Sequence, residues 1–359
     1  MKYAFYSIKF LFYKLKQSFK KIEIIFFIHI FIPNNIKYVM RFLSIGVFLF
    51  IHTIYSYAQI YNPKIVYQHL KSTNDYVLQH HILEQYLGFN SDRCGYVKEM
   101  KNIITQDKSL DIASAIILLL EARECSQKPQ QQELTREKAF QIIRASKEPC
   151  FEAFVNSRIA LGKASQAAFN SDTDYLSYTK QLLKGQECSQ YLYIIPEVNH
   201  LIASKHGKTD IALKEILEAE FLYKQHSQFT SFGWVNIQKH LGLIFYQTKN
   251  YSAALKHWNQ ALDAFEKFSI KIRTLVSLHN DVGLAYKNLK DYEKSFYHLT
   301  KAIDIAKEIK DSIWIGIPQG NIADILIEQE KYEQAQIYLD NYLDYGLQFQ
   351  EHGIVVSAY

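Results

Sequence analysis

Two histidines and a glutamate, His80-His81-x-x-Glu84, come nearest to chemistry in type and spacing in this 359-residue chain. On a helix, residues four apart lie one above the other, so His80 and Glu84 would offer two ligands to a divalent cation. A third ligand at a known spacing is missing. With 13 His in the chain, the pair is expected on a solvated helix edge, with no metal bound. Gly207-Lys208-Thr209 has the last residues of a phosphate loop, but the glycine needed five positions earlier is Ile202. It also follows a helical stretch instead of a strand, so it reads as a turn. Gly-x-Ser-x-Gly, His-Glu-x-x-His, Cys-x-x-Cys and Gly-x-Gly-x-x-Gly are all absent. Paired acids such as Glu218 and Glu220 sit in charged helical stretches and read as solvated surface. The 26 Tyr and 23 Phe suggest ring stacking on a ligand, yet Phe245, Tyr251, Tyr286, Tyr292 and Tyr332 fall at core spacing. No catalytic residue, metal or cofactor is expected, and the chain does not read as an enzyme.

The elements that would position any site are helices. Between residues 60 and 230 an apolar period near 3.6 marks Val66–Leu87, Tyr96–Thr105, Leu110–Arg123, Glu133–Ser146, Phe151–Phe169 and Asp174–Leu183. Asn90-Ser91-Asp92, Gln127-Lys128-Pro129, Glu148-Pro149 and Asn170-Ser171-Asp172 supply the stops. This placement constrains the four cysteines. Cys94 opens one helix and Cys125 closes the next, and Cys150 and Cys188 stand in the same relation. In an antiparallel pair those two ends are neighbours, so Cys94–Cys125 and Cys150–Cys188 are the feasible bridges if the compartment is oxidising.

From Val235 to Tyr345 the helices repeat. Leu241-Gly242-x-x-Phe245 lies over Val282-Gly283-x-x-Tyr286 and Ile322-Ala323-x-x-Leu326, each followed by a turn ending at Tyr251, Tyr292 or Tyr332. A small residue opens the next helix (Ala254, Ser295, Ala335), then a bulky one (Trp258, Leu299, Leu339), then Ala261, Ala302 or Tyr342. A period of about 40 residues is one helical hairpin. Asp210-x-Ala212-x-x-x-Ile216-x-x-Ala219 repeats the second-helix half once more, with a first helix at roughly Tyr191–Lys205.

The N-terminus is of a different kind. Residues 1–39 are mostly Lys, Ile, Phe, Tyr and Asn, the residues of A/T-only codons, and read as upstream sequence translated through or as a membrane-associated extension. Met40 to Ala58 has the order of a signal peptide: Arg41, the apolar Phe42–Ile54, then Ser56-Tyr57-Ala58 before Gln59. The rest is therefore expected outside the cytoplasm, in the periplasm or on the outer face of the inner membrane. Of 41 Lys and Arg, eight fall in residues 1–58 with one acid, so the remainder carries 33 bases against 35 acids. A body so near neutral has no basic stripe for nucleic acid.

The repeat resembles the tetratricopeptide repeat in its longer form, departing from it at Tyr342 and in lacking a closing proline. The resemblance implies an all-α, right-handed superhelical solenoid of antiparallel helix pairs whose first helices line a concave face for a protein or peptide partner. It covers 190–359, with 59–189 as degenerate helical repeats. Carried onto this chain, the ligand face comprises Asn236, Lys239, Tyr246, Gln247, Asn280, Lys287, Asn288, Asp324 and Glu328. Leu243 and Leu284 stand where members that clamp chaperone tails have asparagine. Exported arrays of this kind look like the sensory region of Bacteroidetes-type membrane histidine kinases, with a stand-alone envelope scaffold as the alternative. Membrane contact is expected only through the N-terminal segment and a downstream part that would follow Tyr359. One period after Ile313 comes Ile354, so the last repeat reads as truncated.

Overall fold

The computed structural model describes residues 63–88, 92–126, 128–146, 148–164, 176–184, 186–226, 232–268, 270–309 and 311–349. The chain divides into Met1–Gln59 and Ile60–Tyr359, and every described residue lies in the second unit. The leader, the signal peptide and the truncated last repeat fall outside the described residues. The described residues form helices and 3₁₀ turns with no strand. In chain order we number α1 (Pro63–Lys71), α2 (Tyr76–Gly88), α3 (Arg93–Ile104), α4 (Asp111–Glu124), α5 (Pro129–Ala145), α6 (Pro149–Ala164), α7 (Ser177–Leu182) and α8 (Ile194–Lys205). Then come α9 (Thr209–Gln225), α10 (Phe232–Gln247), α11 (Tyr251–Phe265), α12 (Arg273–Asn288), α13 (Tyr292–Glu308), α14 (Ser312–Glu328) and α15 (Tyr332–Phe349). No described helix is long and apolar enough to cross a membrane.

The pairs α8/α9, α10/α11, α12/α13 and α14/α15 are successive antiparallel hairpins of one solenoid. Their turns fall at equivalent positions: Gly207, Lys249, Lys290 and Glu330 all have φ between 59° and 69°. A left-handed residue ends each first helix, and the carbonyls one turn back take its backbone N–H groups. Asn250 and Asp291 cap the following helices by accepting from Ala253 N and Lys294 N.

Within each hairpin a small residue faces a large one. Trp258 lies against Gly242 and Leu299 against Gly283, where a built Cβ would meet Leu299 Cγ at 2.7 Å. In the last hairpin Tyr342 fills the usually small position, and the compensation is Gly320, one turn before Ala323, which leaves room for the ring. Trp258 cannot yield to a side chain at Gly242, because its Nε1 donates to the Lys239 carbonyl at 3.1 Å. Gly242→Ala should therefore lose about 1–3 kcal/mol to overpacking, more than the ~1 kcal/mol that alanine adds as a helix former. Gly162 in α6 meets nothing within 4 Å, so Gly162→Ala should stabilise by up to ~1 kcal/mol. Urea unfolding of the two variants checks the opposite signs, and two shifts of the same sign would count against this packing.

Two expectations need correction here. The single helix Val66–Leu87 is two, α1 and α2, broken at residues 72–75 because Asp75 caps a new start, accepting from Val77 N and Leu78 N. Tyr332, placed in the core by its spacing, is 60% exposed. It starts α15, beyond which no described helix packs.

In the N-terminal half Cys94 is joined to Cys125 and Cys150 to Cys188, with Cα separations of 4.9 and 5.3 Å. The first bridge ties the start of α3 to the end of α4, and the second ties α6 to the 3₁₀ turn Gln186–Tyr191. Helix α2 then reaches across to the repeats. Asp75, already the cap of α2, also accepts from Phe232 N at 2.6 Å and so caps α10, 157 residues away. His81 and Gln85 both bond Thr274 Oγ1 at the start of α12, at 2.6 and 2.7 Å.

Candidate functional site

The return of α2 encloses a set of polar side chains. Starting from α2, His80 lies edge-on to Phe154 of α6 with centroids 5.4 Å apart, and Arg158 sits over the same ring at 4.8 Å. Arg158 also donates to Glu197 of α8 at 2.6 Å. One helical turn on, His200 lies 4.9 Å from His240 of α10. Phe232 at the start of α10 meets His81 of α2 at 4.8 Å, which closes the circuit. Glu84 of α2 is held by both arms of Arg123 from α4, at 2.7 and 2.9 Å.

His80 and His81 are thus the reverse of the solvated edge expected from their sequence. Helices downstream cover them: α6 covers His80 through Phe154, while α10 and α12 cover His81 through Phe232 and through Thr274, 193 residues away. Nothing local in the sequence signals that cover. Among the described residues no three His, Cys, Asp or Glu groups converge as metal ligands.

Desolvation governs the protonation of this enclosure. It holds His80 down to about 4, with Arg158 and Arg123 pushing the same way against the opposing charge of Glu84. It holds His81 down to about 3, with help from Lys239, His80 and Arg158. His240 is held well below its usual range by desolvation first, then by the charges of His200, Lys239 and Arg158. Lys239 itself is lowered by desolvation, which outweighs the attraction of Asp281, and Asp281 is pushed up to about 6 for the same reason. The histidines are therefore neutral at pH 7, and Arg158 and Lys239 face Glu197 and Asp281.

A ladder of polar residues, one per first helix, extends from here along the repeats. Arg158, Glu197, Lys239, Asn280 and Asn321 follow one another at about the repeat spacing. Arg158 pairs with Glu197, and Asn321 donates to Asn280 at 2.7 Å. The rung between them, Lys239, has no ion-pair or hydrogen-bond partner for its ammonium among the described residues.

The nine face residues taken from the resemblance divide into three sets. Asn236 and Lys239 are half-buried, and Gln247 is exposed. Tyr246 accepts from Asn288 at 3.1 Å, so these two are already engaged. Lys287 holds Asp324 at 3.0 Å and Glu328 at 3.6 Å, a rim of ion pairs satisfied within the protein. Asn280, which a place on the ligand face would expose, is a correction. It is 4% exposed, because Asn321 and the neighbouring Asp281 cover its amide. Sequence reading missed Arg158, Glu197, His200, His240, Asp281 and Asn321. Glu197 and Asn321 carried a faint signal, standing 42 before Lys239 and 41 after Asn280.

Fold and site together define an all-α helical-repeat array of antiparallel hairpins. Residues 273–344 match the family model of the tetratricopeptide repeat. The response regulator aspartate phosphatase H of Bacillus subtilis (strain 168) is 29% identical over 123 residues, 33% of this chain and 32% of that protein. The chain thus matches about a third of the length of that curated relative. Among solved structures, the apo form of RapI shares 14% identity over 79% of this chain and 77% of its own, with a TM-score of 0.46. A Rap protein complexed with competence and sporulation factor shares 12% identity over 82% and 80%, also at 0.46. A signal-transduction ATPase with numerous domains and a tetratricopeptide repeat sensor, from Pyrococcus horikoshii, shares 14% over 75% and 42%, at 0.48.

Proposed function

We propose that this chain is an exported binding module that holds a protein or peptide partner on its first-helix, concave face. In this reading it is the sensing part of a membrane-bound two-component kinase. The observation that carries the binding reading is the rung at Lys239, whose ammonium has no ion-pair or hydrogen-bond partner among the described residues and stands in register with the half-buried amide of Asn321 on a later first helix. The tetratricopeptide match over residues 273–344 supports it, by analogy with the repeat's use as a binding surface. Export is supported by the signal-peptide pattern at Met40–Ala58 and by the pairing of all four cysteines of the chain.

The test is pull-down from envelope extract, with partners identified by mass and compared between wild type and Lys239→Glu. Asn280 is left intact because its burial makes any substitution a stability test. The expected result is loss of about nine-tenths of the specific partner, with no change in the helical circular-dichroism spectrum. Equal recovery by the variant would remove Lys239 from the face, and no partner specific to wild type would remove the binding reading. The sequence downstream of residue 359 separates the sensor from the scaffold: a membrane helix with kinase motifs favours the first, a stop the second.

A further inference from the structure

The enclosure between α2, α6, α8 and α10 has unused capacity of one sign. Arg158 gives one guanidinium arm to Glu197, while its Nε is shut away from solvent with no hydrogen-bond partner. An enclosed donor left unmade is costly, and a guanidinium makes its strongest contacts as a planar fork on an oxyanion. Lys239 is the second unsatisfied cation, and Asp281, the acid that acts on it, already takes the amide of Asn280. His80, His81 and His240 are each held neutral in part by the field of these cations. The site keeps an opening, since the side chains of Arg158 and His80 remain 17% and 22% exposed.

We infer that this enclosure binds an anionic group, a carboxylate or a phosphate, of the ligand held on the first-helix face, with Arg158 and Lys239 as its charged partners. The inference rests on the binding reading above and adds the chemistry of one end of the ligand. A ligand spanning both regions would place its anion between Arg158 and Lys239 and run from there towards Asn321.

Isothermal titration of the oxidised full chain with inorganic phosphate, and separately with succinate, tests this without knowing the ligand. Saturable binding by either anion is expected, and the anion that saturates identifies the group. Lys239→Met should weaken it about tenfold or more, Lys239→Arg should restore it, and Lys294→Met, at an exposed pair with Asp291, should leave it unchanged. Arg158→Lys keeps a cation for the buried Glu197 while losing the fork, so it should fold and bind more weakly. Absence of saturation with both anions, or equal binding by Lys239→Met, would overturn the inference. Envelope pull-down separates the two claims: a partner lost with Lys239→Glu, together with silent anion titrations, leaves the binding reading standing alone.

Discussion

Lowering the pH from 7 towards 4 should destabilise the described unit, with proton uptake, before its carboxylates alone would do so. A histidine whose folded pKa lies below its unfolded value contributes stability that is present above about pH 6.5 and lost as the pH falls towards the folded value. His81, held at about 3, would contribute up to about 5 kcal/mol, and His80, at about 4, up to about 3 kcal/mol. His240 and His200 add in the same direction. Glu84, which desolvation raises but Arg123 lowers further, adds its own loss below its unfolded value. Asp281 opposes them. Its folded pKa of about 6 is raised, so its protonation stabilises the fold by about 3 kcal/mol as the pH falls from 6 to 4. By pH 4 His81 and His80 have each lost about 3 kcal/mol. Asp75 and Asp311, whose carboxyls burial also raises, oppose with Asp281. The net loss is on the order of a few kcal/mol, against a total of about 5–15 kcal/mol for a domain. Urea titrations at steps between pH 7 and 4.5 measure the slope. His81→Gln should flatten it by up to about 1.4 kcal/mol per pH unit, one proton fewer. A variant with the wild-type slope would show that His81 is charged in the folded chain.

Reduction of the two disulfides should be about as damaging, and unequally so along the chain. The bridges close loops with sequence separations of 31 and 38 residues, about 4 kcal/mol each in the chain-entropy estimate. Both lie between Cys94 and Cys188, and the repeats from α8 onward contain none. Helices α3 to α7 should therefore lose most of their amide protection on reduction, while α13 and α14 keep theirs, because they belong to a separate apolar cluster from Val276 to Ala335. Hydrogen exchange with and without a reductant, read by mass, gives the comparison. Unchanged protection of α3 to α7 after both bridges open would mean that packing alone holds that half. The expected result also ties folding to an oxidising compartment, which is where the proposed export would deliver the chain.

The repeats were legible because their physics is local. Small residues at Gly242, Gly283 and Ala254, a bulky partner such as Trp258, and a cap such as Asp291 recur at one period, and each acts within its own hairpin. The cysteine pairing was legible for the same reason, since helix order fixes which ends of neighbouring helices meet. The break at residues 72–75 was written in Ser72-Thr73-Asn74-Asp75, a turn signal overridden by the apolar period around it.

What only tertiary structure decided was the return of α2. Asp75 caps a helix 157 residues away, and Thr274 anchors His81 and Gln85 across a similar distance. No period or motif encodes a contact between elements so far apart. Yet that contact turns a pair of surface histidines into desolvated neutral ones and gathers Arg158, Glu197, His200 and His240 around them. The exposure of Asn280 was lost in the same way, to Asn321 in the next repeat. Side-chain type follows from sequence, but the charge a side chain carries depends on the water left around it, and distant helices remove that water.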